Sequence, residues 1–124
     1  MNERSIRTAM LLGENAIETL AGKHVAVFGV GGVGGFCAEA LARAGVGALT
    51  LVDDDTVSVS NLNRQLVALR STLGMPKTEV MAARIADIDP DCRVTVLTKR
   101  YTEETKEEFF LTKVLTCTVF LMPQ

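Results

Sequence analysis

The sequence predicts an α/β protein of Rossmann-like build, a mostly parallel sheet with helices on both faces. Three observations carry this. Residues 24–30, HVAVFGV, form a short β-branched apolar run that ends in glycines, as a buried parallel strand does. Residues 48–53, ALTLVD, repeat the pattern after a helical stretch, with the separation that a right-handed crossover needs. Between them Gly29, Gly31 and Gly34 match G-x-G-x-x-G, placed where a strand turns into a helix.

The remaining elements follow in order. Residues 31–45 read as a helix with Phe36, Cys37, Ala40, Leu41 and Ala44 on one face and Gly45 as its C-cap. After the strand at 48–53, residues 60–74 suggest a short helix or two, capped by Ser60 or Asn61 and stopped by Gly74. Pro76 stands near the start of a further helix, Met81, Ile85 and Ile88 recur at its period, and Pro90 lies beyond its end. Residues 93–98, RVTVLT, make a third strand, 103–111 a weak helical turn or two, and 114–124 a fourth strand. The βαβαβ order calls for a parallel sheet.

At 124 residues the chain is expected to form one domain over 1–124, large enough for a real core. Apolar residues make up 48% and charged residues 23%, the balance of a globular protein rather than a disordered or membrane chain. A net charge of −2 gives no general pull toward nucleic acid or an anionic surface. The first 20 residues lack the long apolar region of a signal peptide, and no run approaches a membrane span. Cys37, Cys92 and Cys117 are widely spaced and form no CxxC pair; they read as small buried hydrophobes, with Cys37 in the core, in a reducing cytoplasm. His24 reads as a strand-end polar residue without a partner. Asp89, Pro90 and Asp91 read as helix-ending punctuation.

The chemistry sits around the glycines. The first allows a tight turn, the second lets a phosphate approach the backbone, and the third lets helix and strand pack closely. The helix start then offers unpaired N–H groups to an anion. Asp53 ends the second strand about 20 residues past the last glycine, where Rossmann folds put a ribose-binding carboxylate. That spacing suits ATP and NAD alike. Arg64 and Lys77, each expected at a helix start near the carboxyl edge of the sheet, favour chemistry that expels pyrophosphate, because attack on a phosphate builds negative charge that cations must neutralise.

The stretches GVGGVGG, LTLVDDDTVSVSNLNRQL and LGMPKTEVMAARIADIDPDCRV resemble the ThiF/MoeB/HesA group of E1-like, ubiquitin-activating-type adenylating enzymes over about residues 5–110. Within that group the opening RTAMLLGENAIETLAGKHVAVFGVGGVGG is most similar to the tRNA threonylcarbamoyladenosine dehydratases. The resemblance implies that Gly29, Gly31, Gly32 and Gly34 cradle the ATP phosphates, and that Asp53 binds ribose. It places Asn61, Arg64, Gln65 and Lys77 toward the phosphates, adds Asp55 as a second acid of the nucleotide site, and matches Arg7 to an arginine that reaches a partner's site across a homodimer. Arg64, Lys77 and Arg7 are its expected catalytic residues. The implied reaction uses ATP to adenylate a threonylcarbamoyl carboxylate on a tRNA adenosine, after which cyclisation expels AMP.

The group also implies Mg, held by an aspartate just after the fourth strand. No acidic residue follows Glu108 here, so the expectation is a partial, N-terminal half of the fold that is inactive alone. Two other readings stand beside the tRNA dehydratase: an NAD-dependent oxidoreductase domain, and a catalytically inactive nucleotide-binding or dimerisation module.

Overall fold

A computed structural model describes residues 3–99 and the backbone of the strand at 117–120. Two short helices come first, α1 (Ile6–Leu12) and α2 (Glu14–Ala21). They lead into β1 (His24–Phe28), α3 (Gly32–Ala44), β2 (Ala48–Val52), α4 (Lys77–Ile88), β3 (Arg93–Leu97) and β4 (Cys117–Phe120). The helix expected over 103–111 lies outside the described residues.

All strand pairs are parallel, in the order β3-β2-β1-β4. His24 pairs with Ala48 and Ala48 with Arg93, so the three N-terminal strands start level and end level. The chain moves outward from β1 to β3 and then crosses back to lay β4 on the other side of β1. The strand order therefore reverses beside β1, and an open α/β sheet binds ligands at the carboxyl ends of its strands at such a reversal.

Period-two alternation sorts the strands onto two faces. Val25, Val27, Leu49 and Leu51 join Ala38 and Ala42 of α3 and Met81 and Ile85 of α4 in the main core. Ala26, Phe28 and Val52 are buried on the opposite face with Leu97 against them. Among the described residues, the helices packed on the sheet are thus α3 and α4, on one face. No described helix is long and apolar enough to cross a membrane.

Three expectations need correction. The buried face of α3 consists of Gly34, Gly35, Ala38 and Ala42, whereas Phe36 is 55% exposed and Ala40 and Ala44 face outward. Close packing sets this: a Cβ on Gly35 would stand 2.9 Å from the Val30 carbonyl oxygen and 3.4 Å from Met81 Cε, so only small residues fit against the sheet. Cys37 accordingly lies at the edge of that face and is half-buried. Next, residues 60–74 form no α-helix but two 3₁₀ turns, Val59–Asn61 and Arg70–Thr72. Ser58, not Ser60 or Asn61, precedes the first turn, and Asn61 Oδ1 accepts from the Ser58 N–H at 2.9 Å. Short polar side chains here take backbone donors that a helix would have used, while buried Val57, Val67 and Ala68 pin the segment to the core. Finally, His24 has a partner: its Nε2 lies 2.7 Å from Thr50 Oγ1 on the neighbouring strand.

Gly45 caps α3 as expected, with φ +101° and the Val46 N–H reaching back to the Leu41 carbonyl at 3.1 Å. Glu39 joins α3 to α4 by an ion pair with Arg84 and also holds Arg43 on its own helix. Its carboxyl is held below the ordinary glutamate range by the Arg84 hydrogen bond first and by Arg43 after it. A depressed carboxyl contributes stability above its unfolded value and loses it as pH falls through the folded value. Wild-type stability should therefore fall more steeply than that of Glu39→Gln on acidification from pH 7, a difference measured by urea unfolding across the pH series.

Candidate functional site

Of the expected nucleotide set, Gly29, Gly31, Asp53 and Asp55 lie in the turns that leave β1 and β2, Gly32 and Lys77 open α3 and α4, and Asn61, Arg64 and Gln65 lie in and just after the first 3₁₀ turn. β1 exits through Gly29, whose φ of +92° lies in the region that favours glycine, and whose N–H donates to the Val52 carbonyl at 2.8 Å. The chain then reaches Gly31, the extended residue preceding α3, and Gly32 at φ +41° opens the helix. Gly34 is buried one turn in.

Asp53 organises this loop. It is 8% exposed. Its Oδ2 accepts from the Val30 N–H at 2.8 Å and its Oδ1 from the Asp55 N–H at 2.8 Å. One carboxylate thus ties the turn after β1 to the turn after β2. A carboxylate has about four lone-pair sites, so two remain for a pair of hydroxyl donors.

Gln65 closes the loop from the side of the 3₁₀ segment. A Cβ on Gly31 would fall 2.8 Å from both Gln65 Nε2 and Oε1, so the absence of a side chain at Gly31 admits the Gln65 carboxamide. The Gln65 Oε1 is buried and has no hydrogen-bond partner among the described residues. Leaving such a group unsatisfied costs roughly 1–3 kcal/mol, which a polar ligand at the glycine loop would offset. A buried polar atom without a partner and a cradle too tight for a Cβ fit a bound nucleotide.

The remaining residues differ in how they are held. Asn61 is buried, with Oδ1 engaged by the Ser58 N–H and, at 3.0 Å, by the Ser58 hydroxyl. Arg64 follows a 3₁₀ turn rather than opening an α-helix; it is exposed, and its Nη1 donates to the Ser60 carbonyl at 3.1 Å and to Asn63 Oδ1 at 2.8 Å. Lys77 opens α4 as expected and is buried, its Nζ 3.8 Å from Asp55 Oδ2. Arg7 is exposed on α1, and no hydrogen bond or ion pair joins it to the loop among the described residues. The fit for magnesium is poor: Asp53, Asp54 and Asp55 lie close together, but Asp53 already accepts from two N–H donors and the Lys77 ammonium beside Asp55 puts positive charge next to the cluster.

Away from the loop, a cavity of about 320 Å³ lies at the amino ends of the strands, lined by the Arg4–Asp89 pair, Gly47 and Arg93. It stands at the end of the sheet opposite the strand-order reversal, so it is not the nucleotide site. Burial pushes the nearby Cys92 thiol above its ordinary range, with Asp89 adding to the effect. A raised thiol is a poor nucleophile at neutral pH, in keeping with a site that uses no cysteine.

Sequence reasoning missed the contact between Gln65 and Gly31 and the loop-holding role of Asp53. The first had no signal beyond the glycine itself, while an acid two residues before another backbone N–H is a recognisable Asx-turn pattern.

Comparison with known proteins follows this geometry. A profile of the ThiF family matches residues 3–118. The tRNA threonylcarbamoyladenosine dehydratase of Bacillus subtilis is 58% identical over 104 residues, covering 84% of this chain and 41% of that protein. The crystal structure of the E. coli tRNA N6-threonylcarbamoyladenosine dehydratase TcdA in complex with ATP superposes with a TM-score of 0.93 at 43% identity, over 98% of this chain and 50% of that one. The same E. coli enzyme in complex with AMP superposes equally well, at 0.93 and 43% over 98% of this chain and 49% of that one. The chain thus spans half or less of the length of these relatives.

If Asp53 holds the loop in the absence of any ligand, Asp53→Asn should lower the unfolding free energy by about 1–3 kcal/mol, since an amide cannot accept from both N–H groups. Denaturant unfolding without nucleotide measures this; an unchanged midpoint would leave Asp53 with a ligand role alone.

Proposed function

The chain belongs to the ThiF family, and from that membership and the site geometry we propose that it is the ATP-binding part of an E1-like adenylating enzyme. The full reaction we assign is the ATP-dependent dehydration, by cyclisation, of threonylcarbamoyladenosine in tRNA. The ATP and AMP complexes of the E. coli relative support the nucleotide assignment.

The observation that carries the reading is the packed Lys77 side chain, whose ammonium is linked through Asp55 and Asp53 to the glycine loop. A dinucleotide oxidoreductase holds its pyrophosphate with backbone N–H groups and a helix start. A cation held in place by packing beside that loop suits a reaction in which phosphate charge grows. In the proposed chemistry a carboxylate oxygen of the threonylcarbamoyl group attacks the α-phosphorus of ATP, and the bond to the bridging oxygen breaks to release pyrophosphate. The adjacent ring closure then expels AMP, and water is lost overall.

We assign the residue roles as follows. Gly29 makes the turn, its own N–H spent on the Val52 carbonyl, backbone N–H groups at Gly31, Gly32 and Gly34 take the phosphates, Asp53 uses its two remaining lone pairs on the ribose, and Asn61, Arg64, Gln65 and Lys77 surround the phosphate chain. Arg64, exposed and tied, among the described residues, only to its own turn, can swing onto phosphate at little cost. We assign Arg7 to the nucleotide site of a second copy, supported by the apolar surface of its helix, where Met10 is 81% and Leu11 84% exposed. Such a surface on a seven-residue helix with no buried residue is what a homodimer contact would cover. A tRNA substrate places the reaction in the cytoplasm. Because the acidic cluster does not fit magnesium, no step is routed through it.

ATP should raise the thermal midpoint of the chain and NAD(H) should not, with a stabilisation near 2.7 kcal/mol when ATP reaches ~100 times its Kd. A response to NAD(H) alone would establish the oxidoreductase reading instead. Arg64→Ala should weaken ATP binding by about tenfold or more, the worth of a charge-assisted hydrogen bond, and leave adenosine binding unchanged; calorimetry with both ligands decides it.

A further inference from the structure

The nucleotide reading leaves the work of Asp55 unassigned. Asp55 and Lys77 are brought face to face by backbone rather than by chance contact of two long side chains. The Lys77 N–H donates to the Asp55 carbonyl at 3.0 Å, the Val57 N–H to Met75 at 2.9 Å, and the Gly74 N–H to Val57 at 2.8 Å. Thr56 and Pro76 form an antiparallel bridge inside this clasp. The start of α4 is thereby locked to the turn that follows β2.

The side chains within the clasp are poorly matched. The Lys77 side chain is 6% exposed and the Asp55 side chain 59%. Among the described residues, Asp55 is the one ionic partner of the Lys77 ammonium, and no side-chain hydrogen bond reaches it. The packed Lys77 side chain leaves its ammonium facing this one carboxylate, yet a carboxylate this exposed, at 3.8 Å, is screened by water and holds it weakly. The packing around Lys77 sets the path of its side chain, and Asp55 supplies only the charge.

We propose that Asp55 is an exchangeable counter-ion: it keeps the Lys77 ammonium compensated in the nucleotide-free protein and gives it up to the triphosphate of ATP. This rests on the reading of the glycine loop as an ATP site. Asp55 then opposes phosphate binding modestly, and in return holds the lysine in place before the nucleotide arrives. Asp55 is accordingly a positioning residue that acts through Lys77, and it touches neither ribose nor phosphate.

The test compares ATP and adenosine binding by calorimetry in the wild type, Asp55→Asn, Lys77→Met and the double variant, with thermal midpoints measured without ligand. Asp55→Asn should lower the ligand-free midpoint and tighten ATP binding about two- to fivefold, the range of an exposed ion pair, with adenosine unchanged. In the Lys77→Met background the same substitution should leave ATP affinity unaltered. Weaker binding of ATP and adenosine together would make Asp55 a ribose ligand and overturn the proposal. Weaker ATP binding alone, or no change, would overturn it as well. The two-ligand comparison in Asp55→Asn decides the matter even if Lys77→Met does not fold. A wild-type chain that binds adenosine and ATP not at all would instead remove the ATP site itself, and the counter-ion role with it.

Discussion

The site depends on one carboxylate. Asp53 reaches across from the end of β2 to the Val30 N–H at the end of β1, and back to the Asp55 N–H in its own turn. These two turns would otherwise be independent loops leaving adjacent strands. Strand pairing fixes where they start, since Phe28 and Val52 are in register, but it does not fix where they go. A single acid accepting from both makes their relative position a property of the sheet. Hydrogen bonds to a charged acceptor are the strong ones, and of this pair the one from Val30 is buried and the one from Asp55 partly so.

The ordering then spreads outward through backbone. Asp55, held by Asp53, meets Lys77 through the clasp that begins α4. The Asn61 carbonyl accepts from the Arg64 and Gln65 N–H groups at 3.2 and 3.0 Å, so the turn carrying both side chains is set by a residue that is itself buried. The outcome is a graded site. Lys77 and Asp53 are fixed and buried, Gln65 is packed against Gly31 with an unsatisfied oxygen, and Arg64 is exposed and only locally tied. Preorganised charge avoids the reorganisation that a flexible site must undergo as a reaction proceeds. In the proposed reaction an exposed arginine at the rim can follow phosphate as its position changes.

Much of this was legible in the sequence because the relevant residues cluster at strand ends, where the parallel α/β architecture forces loops to one edge. The strands at 24–30 and 48–53, the helix starting at Lys77 and the cap at Gly45 all announce themselves by composition and period. The face of α3 did not, because hydrophobic pattern assumes that large apolar residues point inward. Here α3 runs so close to Val30 that no Cβ fits at Gly35, its buried face is made of Gly34, Gly35, Ala38 and Ala42, and Phe36 lies at the surface. Residues 60–74 misled for a different reason: Ser58, Asn61 and Thr72 satisfy backbone groups locally, and no helical period reports that competition.

The same comparison separates the glycines by cause. Gly29 is required by its backbone angle, and Gly31 by the carboxamide of Gln65, residues far apart in the chain. A phosphate approaching Gly31 therefore meets Gln65 first, so the second glycine of the motif and the glutamine of the downstream block form one contact surface. That pairing gives a physical reason for the two sequence blocks to occur together. It also explains why the glycine spacing by itself was compatible with several nucleotides: the spacing shapes a turn, whereas the side chain that fills the space above it comes from elsewhere. On the proposed reading, discrimination between ligands resides in the segment from Asp53 to Lys77, and the glycine loop supplies the surface against which that segment is packed.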